Sequence, residues 1–190
     1  IVSRGYGGKF KETLQVTSET PVKHTGDEAQ ILAKLDVPFY IDKNRVRAVK
    51  KLSKNHDCDV IISDDGLQHY KMGRQVEIAV IDGKRRFGNN LTFPAGPLRE
   101  SSKRIDTVDF IVNNSGPTEE GEYLMNISPT KFVHLKSGKS YSIENWPMHK
   151  QVHAVAGLGN PGRFFDLLDK LGFDIILSLI HISEPTRRDQ

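Results

Sequence analysis

The stretch Val60-Ile61-Ile62-Ser63-Asp64-Asp65-Gly66-Leu67-Gln68-His69 decides how this chain is read. Three β-branched residues with no polar interruption predict a buried strand of the parallel-sheet type. The strand ends on two acids and a glycine. An apolar strand with a carboxylate pair at its tip has the Walker B form, since magnesium and other hard cations take oxygen ligands. Asp-Gly is also ordinary turn chemistry, so a plain turn stays open at this point.

The same form recurs further along. Val76 to Ile81 ends at Asp82-Gly83, and Asp109 to Val112 ends at Asn113-Asn114. Before them, Thr25-Gly26-Asp27-Glu28 has the capping-box pattern and predicts a helix through Leu35, with Ile31, Leu32 and Leu35 on one face. Val37 to Ile41 reads as a short strand. Val46, Val49 and Leu52 form an apolar stripe in a basic helix from Asn44 to Lys54. Strands alternating with helices predict an α/β domain with a parallel sheet, whose ligands gather at the carboxyl ends of the strands.

Ser115 to Gly121 is polar and bears glycine and proline, a boundary composition. Tyr123 to Ile127 and Lys131 to Leu135 predict a two-stranded ribbon. After Pro147 the α/β pattern returns: a strand His153 to Ala156, a glycine turn Gly157 to Gly162, a helix Arg163 to Leu171, then a strand from Phe173. The expected organisation is a core over 1–116, a ribbon linker over 117–146, the start of a second α/β domain over 147–176, and a tail over 177–190. That tail, from about Leu177, continues no helix or strand period and reads as foreign to the rest. The start, Ile1-Val2-Ser3-Arg4, has no initiator Met and opens as though inside a strand. The expectation is an internal piece of a longer protein.

Composition excludes several classes. There are 27 basic and 24 acidic side chains in 190 residues, a formal net charge of +3, too balanced to indicate nucleic acid. One cysteine, Cys58, allows no internal disulfide and reads as a small apolar residue. The seven histidines show no metal-ligand spacing, which argues against zinc. No apolar run reaches the ~18 residues of a membrane-spanning helix.

Three further motifs bear chemistry. Asp27, at the start of its helix, is either part of a cap or a carboxylate able to accept a hydroxyl proton beside a phosphate. In Phe93-Pro94-Ala95-Gly96-Pro97-Leu98-Arg99-Glu100, two prolines and a glycine fix a loop presenting an arginine and an acid. An arginine fork suits phosphate, and a local ion pair at the surface is the alternative. Gly157-Leu158-Gly159-Asn160-Pro161-Gly162 spells the dinucleotide fingerprint, but Pro161 lacks an amide and no acid ends the following strand. A helix-starting turn suits it better. No G-x-x-x-x-G-K-[ST] occurs. The glycines of Ser3-Arg4-Gly5-Tyr6-Gly7-Gly8-Lys9 have the wrong spacing, and the phosphate loop is expected upstream of Ile1.

In order and approximate spacing, Ser3-Arg4-Gly5-Tyr6-Gly7-Gly8, Gly26-Asp27-Glu28, Ile62 to His69, Asp82-Gly83 with Arg86 to Asn89, Pro94 to Glu100 and Val155 to Pro161 resemble the tetraacyldisaccharide 4'-kinases of lipid A synthesis. The resemblance covers about residues 1 to 176. It implies a P-loop-kinase-like α/β/α sandwich, incomplete here, with a two-stranded ribbon and the start of a second α/β domain. It implies transfer of the γ-phosphate of ATP, with Mg2+, to the 4'-hydroxyl of tetraacyldisaccharide 1-phosphate, forming lipid IVA. The place implied is the cytoplasmic face of the inner membrane, reached through an amino-terminal segment missing here, with no nucleic-acid partner.

Carried over by motif, Asp27 is the base or proton relay, supported by Glu28. Asp64 and Asp65 serve magnesium, with Glu100 supporting the metal geometry. Arg99 binds phosphate, Gln68 and His69 line the nucleotide, and Arg45 is an anion contact. The chain departs from the family in lacking the phosphate loop, in Ala29 where the motif has proline, and in lacking the Asp-His-His element after Phe173. The expectation is a kinase parent and an inactive piece. The alternatives are a dinucleotide-binding oxidoreductase fragment and a non-enzymatic anion-binding module.

Overall fold

The computed structural model describes residues 1–157 and 161–180. The chain divides into two compact units, one over Ile1–Asn126 and one from Ile127 onward.

The first unit is built around β1 (Val2–Ser3). It pairs in parallel with β3 (Tyr40–Ile41), and β2 (Leu14–Gln15) runs antiparallel on the far side of β3. The other edge of β1 holds the acid-bearing segment: the Val2 amide donates to Ile62 O at 2.9 Å and the Asp64 amide to Val2 O at 3.0 Å. Side chains alternate across β3, so Phe39 and Ile41 face one way and Tyr40 the other. Phe39 and Ile41 pack with Val16, Ala29 and Ala33. Tyr40 and Val2 pack with Ala48 and Leu52, with Cys58 and Ile61 against them. The small sheet is therefore covered on both faces, by α2 (Asp27–Leu32) and by α3 (Arg45–Asn55).

Helix α2 continues as a 3₁₀ turn over Ala33–Leu35, so the expected helix is present. Its predicted cap is not, and of its predicted face only Leu32 packs against the core. Gly26 is the N-cap and makes no side-chain cap bond, while Thr25 ends the preceding α1 (Val22–Thr25). Thr25 is fully buried, its hydroxyl donating to Gly26 O and accepting from Gln30 Nε2, so it cannot reach the α2 amides. Ile31 and Leu35 are exposed, and Ala29 and Ala33 face inward beside fully buried Phe39 and Ile41, whose bulk fills most of that space.

A second sheet, β4 (Ile78–Asp82), β5 (Phe110–Asn114) and β6 (Glu122–Met125), is parallel throughout in the order β4-β5-β6. The segment expected as the first ribbon strand is thus β6, a core strand paired to β5. The run Val60–Ile62, predicted as a doubly buried strand, is not a strand: this segment meets β1 only through the isolated Val2–Ser63 bridge. Only Ile61 packs inward, while Val60 is 74% and Ile62 62% exposed. On β4, Ile78 is 53% and Val80 61% exposed. Among the described residues neither the outer edge of 62–64 nor that of β4 has a ladder partner.

In the second unit the ribbon is β7 (Lys131–Val133) against β8 (Ser140–Ser142), antiparallel. It is followed by β9 (Gln151–Ala156), α4 (Pro161–Lys170) and β10 (Asp174–Ile180), with β9 and β10 parallel. Phe132 of the ribbon, Trp146 and Phe173 form a triangle with ring centroids 4.8 to 5.7 Å apart. This ties the ribbon to the core around Ala154 and Leu168, so it packs within this unit rather than standing as a separate linker. β10 runs to Ile180, opposite Ala156, past the Leu177 at which the strand pattern was expected to stop. Most of the Gly157–Gly162 turn, and residues 181–190 of the expected tail, lie outside the described residues.

Helix α3 starts at an Asn44 cap, and the turn before it is clamped by Asp42. This nearly inaccessible carboxylate accepts from Arg47 Nε and Nη2, both at 2.8 Å, from the Asn44 amide at 2.8 Å, and from the Thr13 hydroxyl. Burial pushes the Asp42 carboxyl up, but Arg47, Thr13 and the Asn44 amide outweigh it and hold its pKa below the usual 3.8. Its contribution is therefore complete above that value and is lost as pH falls through the lower folded pKa. Asp42→Asn is expected to cost about 2–3 kcal/mol at neutral pH and to flatten the acid limb of the stability curve below about pH 4, measured by urea unfolding. The open edges predict concentration-dependent association of the 190-residue chain. In sedimentation, Ile62→Lys with Val80→Lys should shift it toward monomer.

Candidate active site

The acid pair sits at the end of the segment that β1 holds. Ser3 Oγ donates to Asp64 Oδ2 at 3.2 Å. Asp65 has φ 47°, a left-handed conformation uncommon for a residue with a side chain. Arg45, in the first turn of α3, stabilises it from below: its Nη2 donates to Asp64 O at 3.1 Å and Asp65 O at 2.9 Å. Arg45 is only 6% exposed. Burial lowers its pKa and the two acids raise it, yet a guanidinium stays charged. In the structure Arg45 supports the backbone of the acid turn.

From above, Arg99 closes on the same turn. Its Nη1 lies 2.5 and 2.6 Å from the two Asp65 oxygens. That contact raises the Arg99 pKa, and Glu28 is close enough to add to it. The loop carrying Arg99 is braced internally by Phe93 N to Leu98 O at 2.8 Å, Gly96 N to Thr92 O at 3.1 Å and Asn89 Nδ2 to Ala95 O at 3.0 Å. Gln68 Nε2 donates to Glu100 Oε1 at 2.7 Å, and the Tyr70 hydroxyl donates to Glu100 Oε2. Beside this loop a cavity of about 220 Å3 is lined by Leu67, Gln68, Ala79, Val80, Arg99 and Glu100, among others.

Asp27 and Glu28 are exposed at the start of α2. What places them is backbone contact between glycines. Gly26 has φ 83°, and a Cβ there would collide with Tyr6 O; a Cβ at Gly8 would meet the His24 and Thr25 carbonyls. The glycines of the first loop thus serve its close approach to the turn before Asp27.

His69 is more enclosed, and its pKa is lowered by burial and by Arg45, Lys71 and Arg74, so it is neutral at pH 7. His69 Nε2, Ser63 Oγ and Arg45 Nε are buried polar atoms without a partner. In the basic loop after β4, Arg86 pairs with Glu119 and Glu122 at 2.8 and 2.6 Å.

Residues 1–181 match the LpxK family, tetraacyldisaccharide-1-P 4'-kinase. The chain belongs to this family. Over 177 residues it is 49% identical to the tetraacyldisaccharide 4'-kinase of Ruthia magnifica subsp. Calyptogena magnifica, covering 92% of this chain and 56% of that one. The Methylobacillus flagellatus kinase is 45% identical over 174 residues, covering 90% and 52%. The chain thus spans about half the length of these curated relatives. The crystal structure of LpxK from Aquifex aeolicus, described as an "apo" form in complex with ATP, superposes with a TM-score of 0.74 at 26% identity, covering all of this chain and 63% of that one. The fold is the P-loop-kinase-like α/β fold of this family.

Against the roles carried over from the family, the structure joins Asp64, Asp65, Arg45, Arg99, Gln68 and Glu100 by hydrogen bonds and brings Glu28 within electrostatic reach of Arg99. It does not assemble Asp64, Asp65 and Glu100 as a metal-ligand group: among the described residues no three acid, histidine or cysteine side chains converge. The Asp64–Asp65 pair still fits magnesium, which is commonly held by one or two carboxylates with phosphate and water completing the shell. Glu100 has one oxygen on Gln68 and the other on the Tyr70 hydroxyl, as Asp65 has both of its oxygens on Arg99.

Tyr70, Arg74, Glu77 and Arg104 escaped the sequence. They form a frame behind the turn, with Arg104 and Arg74 on Glu77 at 2.6 and 2.5 Å and Arg74 Nη1 on Gly66 O at 2.7 Å. Their only signal was Tyr70 following the Asp64–His69 motif directly. Gly26→Ala should lower stability by about 2–4 kcal/mol, combining a left-handed side chain with a backbone collision, read as a fall in thermal midpoint.

Proposed function

We propose that the protein carrying this chain transfers the γ-phosphate of ATP to the 4'-hydroxyl of tetraacyldisaccharide 1-phosphate, forming lipid IVA, at the cytoplasmic face of the bacterial inner membrane. The observation that carries this is the acid turn, held beside β1 and faced by Arg99, in a chain that belongs to the 4'-kinase family over residues 1–181. The likeness to an LpxK structure in complex with ATP supports the choice of nucleotide.

In this reading the Asp64–Asp65 tip is the Walker B pair. Magnesium, when bound there, supplies charge neutralisation on the phosphate oxygens. Arg99 exchanges Asp65 for a phosphate oxygen, a trade its fork geometry permits. Neutral His69, with Gln68, lines the nucleotide side. Asp27, exposed at the start of α2, accepts the proton of the attacking sugar hydroxyl, and Glu28 keeps Arg99 oriented through its charge. Phosphoryl transfer needs little covalent help, so positioning and charge placement of this kind carry the catalysis. No described helix is long and apolar enough to cross a membrane, and peripheral attachment is assigned to a segment outside this sequence. The 190 residues alone are expected to be inactive, since they contain no G-x-x-x-x-G-K-[ST] for the phosphates.

In the full-length kinase, Asp27→Ala should lower turnover about 10²–10⁴-fold, the range of a lost general base, with ATP affinity retained. Turnover on the lipid acceptor and ATP binding by calorimetry are the measurements. Unchanged turnover would remove Asp27 from the mechanism.

A further inference from the structure

Glu100 is placed oddly for a residue expected beside a metal. One oxygen accepts from Gln68 Nε2 at 2.7 Å, and the other accepts from the Tyr70 hydroxyl. Gln68 turns its other amide atom toward Arg99 Nη1, 3.4 Å away, and Arg99 in turn reaches Asp65. Residues 65, 68 and 70 on one side of a seam are thus stitched to 99 and 100 on the other. The hydrogen bonds inside the loop, Phe93 to Leu98, Gly96 to Thr92 and Asn89 to Ala95, fix its shape but not its position relative to the acid turn. The stitches at Glu100 and Arg99 do that.

Tyr70 can act as a fixed post because it is itself backed. Arg74 lies 5.8 Å over its ring. Arg104, which also interacts with the Tyr70 hydroxyl, is held on Glu77 by both carboxylate oxygens at 2.6 Å. Arg74 also holds Gly66 O, the residue after Asp65, so post and acid turn share one frame. The Glu100 carboxylate pushes the Tyr70 phenol pKa up, which keeps it a donor at all ordinary pH.

We propose that Tyr70 and Glu100 form a latch that holds the Arg99 loop against the acid turn, so that Tyr70 is a positioning residue for Arg99 and Glu100 is a structural acceptor rather than a metal ligand. The inference rests on the kinase reading for its effect on activity, but not for its effect on the loop. Arg99 has to leave Asp65 when phosphate arrives, and at that moment the loop loses one stitch. The Gln68–Glu100–Tyr70 contacts remain and keep the guanidinium within reach of its new partner.

The test uses the full-length protein with Tyr70→Phe, Glu100→Ala and Glu100→Gln. Two readouts are taken: amide hydrogen exchange over residues 92–98, and kinase kinetics with ATP and Mg2+ varied separately. A glutamine at 100 still accepts from Tyr70 and can pair with a flipped Gln68, whereas alanine cannot. Tyr70→Phe and Glu100→Ala should speed exchange in the loop and raise the KM for ATP by ~10-fold or more, the worth of a charge-assisted hydrogen bond. The Mg2+ half-saturation should not move. Glu100→Gln should stay within about threefold of the unchanged protein in both readouts, because the acceptor is preserved. The proposal is overturned if Glu100→Gln matches Glu100→Ala with a raised Mg2+ requirement, or if Tyr70→Phe leaves loop exchange unaltered. A full-length protein without lipid kinase activity would overturn the functional reading instead, while the exchange data would still decide the latch.

Discussion

Two backbone hydrogen bonds, from the Val2 amide to Ile62 and from the Asp64 amide to Val2, locate the acid turn against the first sheet. They make the two-residue strand β1 the shared neighbour of β3 and of the acid-bearing segment. The bond at Asp64 is made one residue before the chain turns, so the left-handed step at Asp65 begins from a fixed point. Full burial of Val2 keeps water from competing for these bonds. Arg45 can reach the carbonyls of the turn only because α3 packs on the face of β1 that holds Val2, through Ala48 and Leu52.

The acid turn is therefore held on three sides by groups of different kinds. A strand fixes its start, a buried cation fixes its carbonyls, and the loop ending at Glu100 faces its carboxylates. The carboxylate oxygens are left as the adjustable part, bonded to Ser3 and Arg99. A rigid backbone with exchangeable side-chain partners suits a site that must accept and release a charged ligand.

Much of this was legible from residue pattern. The acid at the end of β4, the alternation of strands with helices, the Asn44 start of α3 and the internally bonded loop before Glu100 follow from local chemistry, and the structure contains each, whereas the run before Asp64 and Asp65 is not a strand. Four features were not. Tyr123 to Ile127 has the same alternation whether it joins a ribbon or a core sheet, and the pairing of β6 with β5 is settled by the distant contact of Ser115 N with Met125 O and by Asn113 holding Glu122. The inward face of α2 was only partly legible: Leu32 packs inward as expected, but Ile31 and Leu35 face out and Ala29 and Ala33 lie against Phe39 and Ile41. The support that Arg45 gives the turn was hidden because sequence shows charge and not burial. Tyr70 carried no spacing signal, since its partner lies thirty residues on.

The arginine pairing at the acid turn has a consequence for how a ligand is met. Arg4, Arg45 and Arg99 stand in one electrostatic neighbourhood with Asp64, Asp65 and Glu28, three cations against three carboxylates. Beyond a Debye length of about 8 Å such a group presents almost no field. A polyanion approaching it gains little from long-range steering, so ionic strength should have small leverage on the encounter. Attraction begins only on contact, when Arg99 is drawn from Asp65 and the neutral assembly separates into an acidic and a basic half. Discrimination then lies in the close fit of the ligand rather than in its net charge.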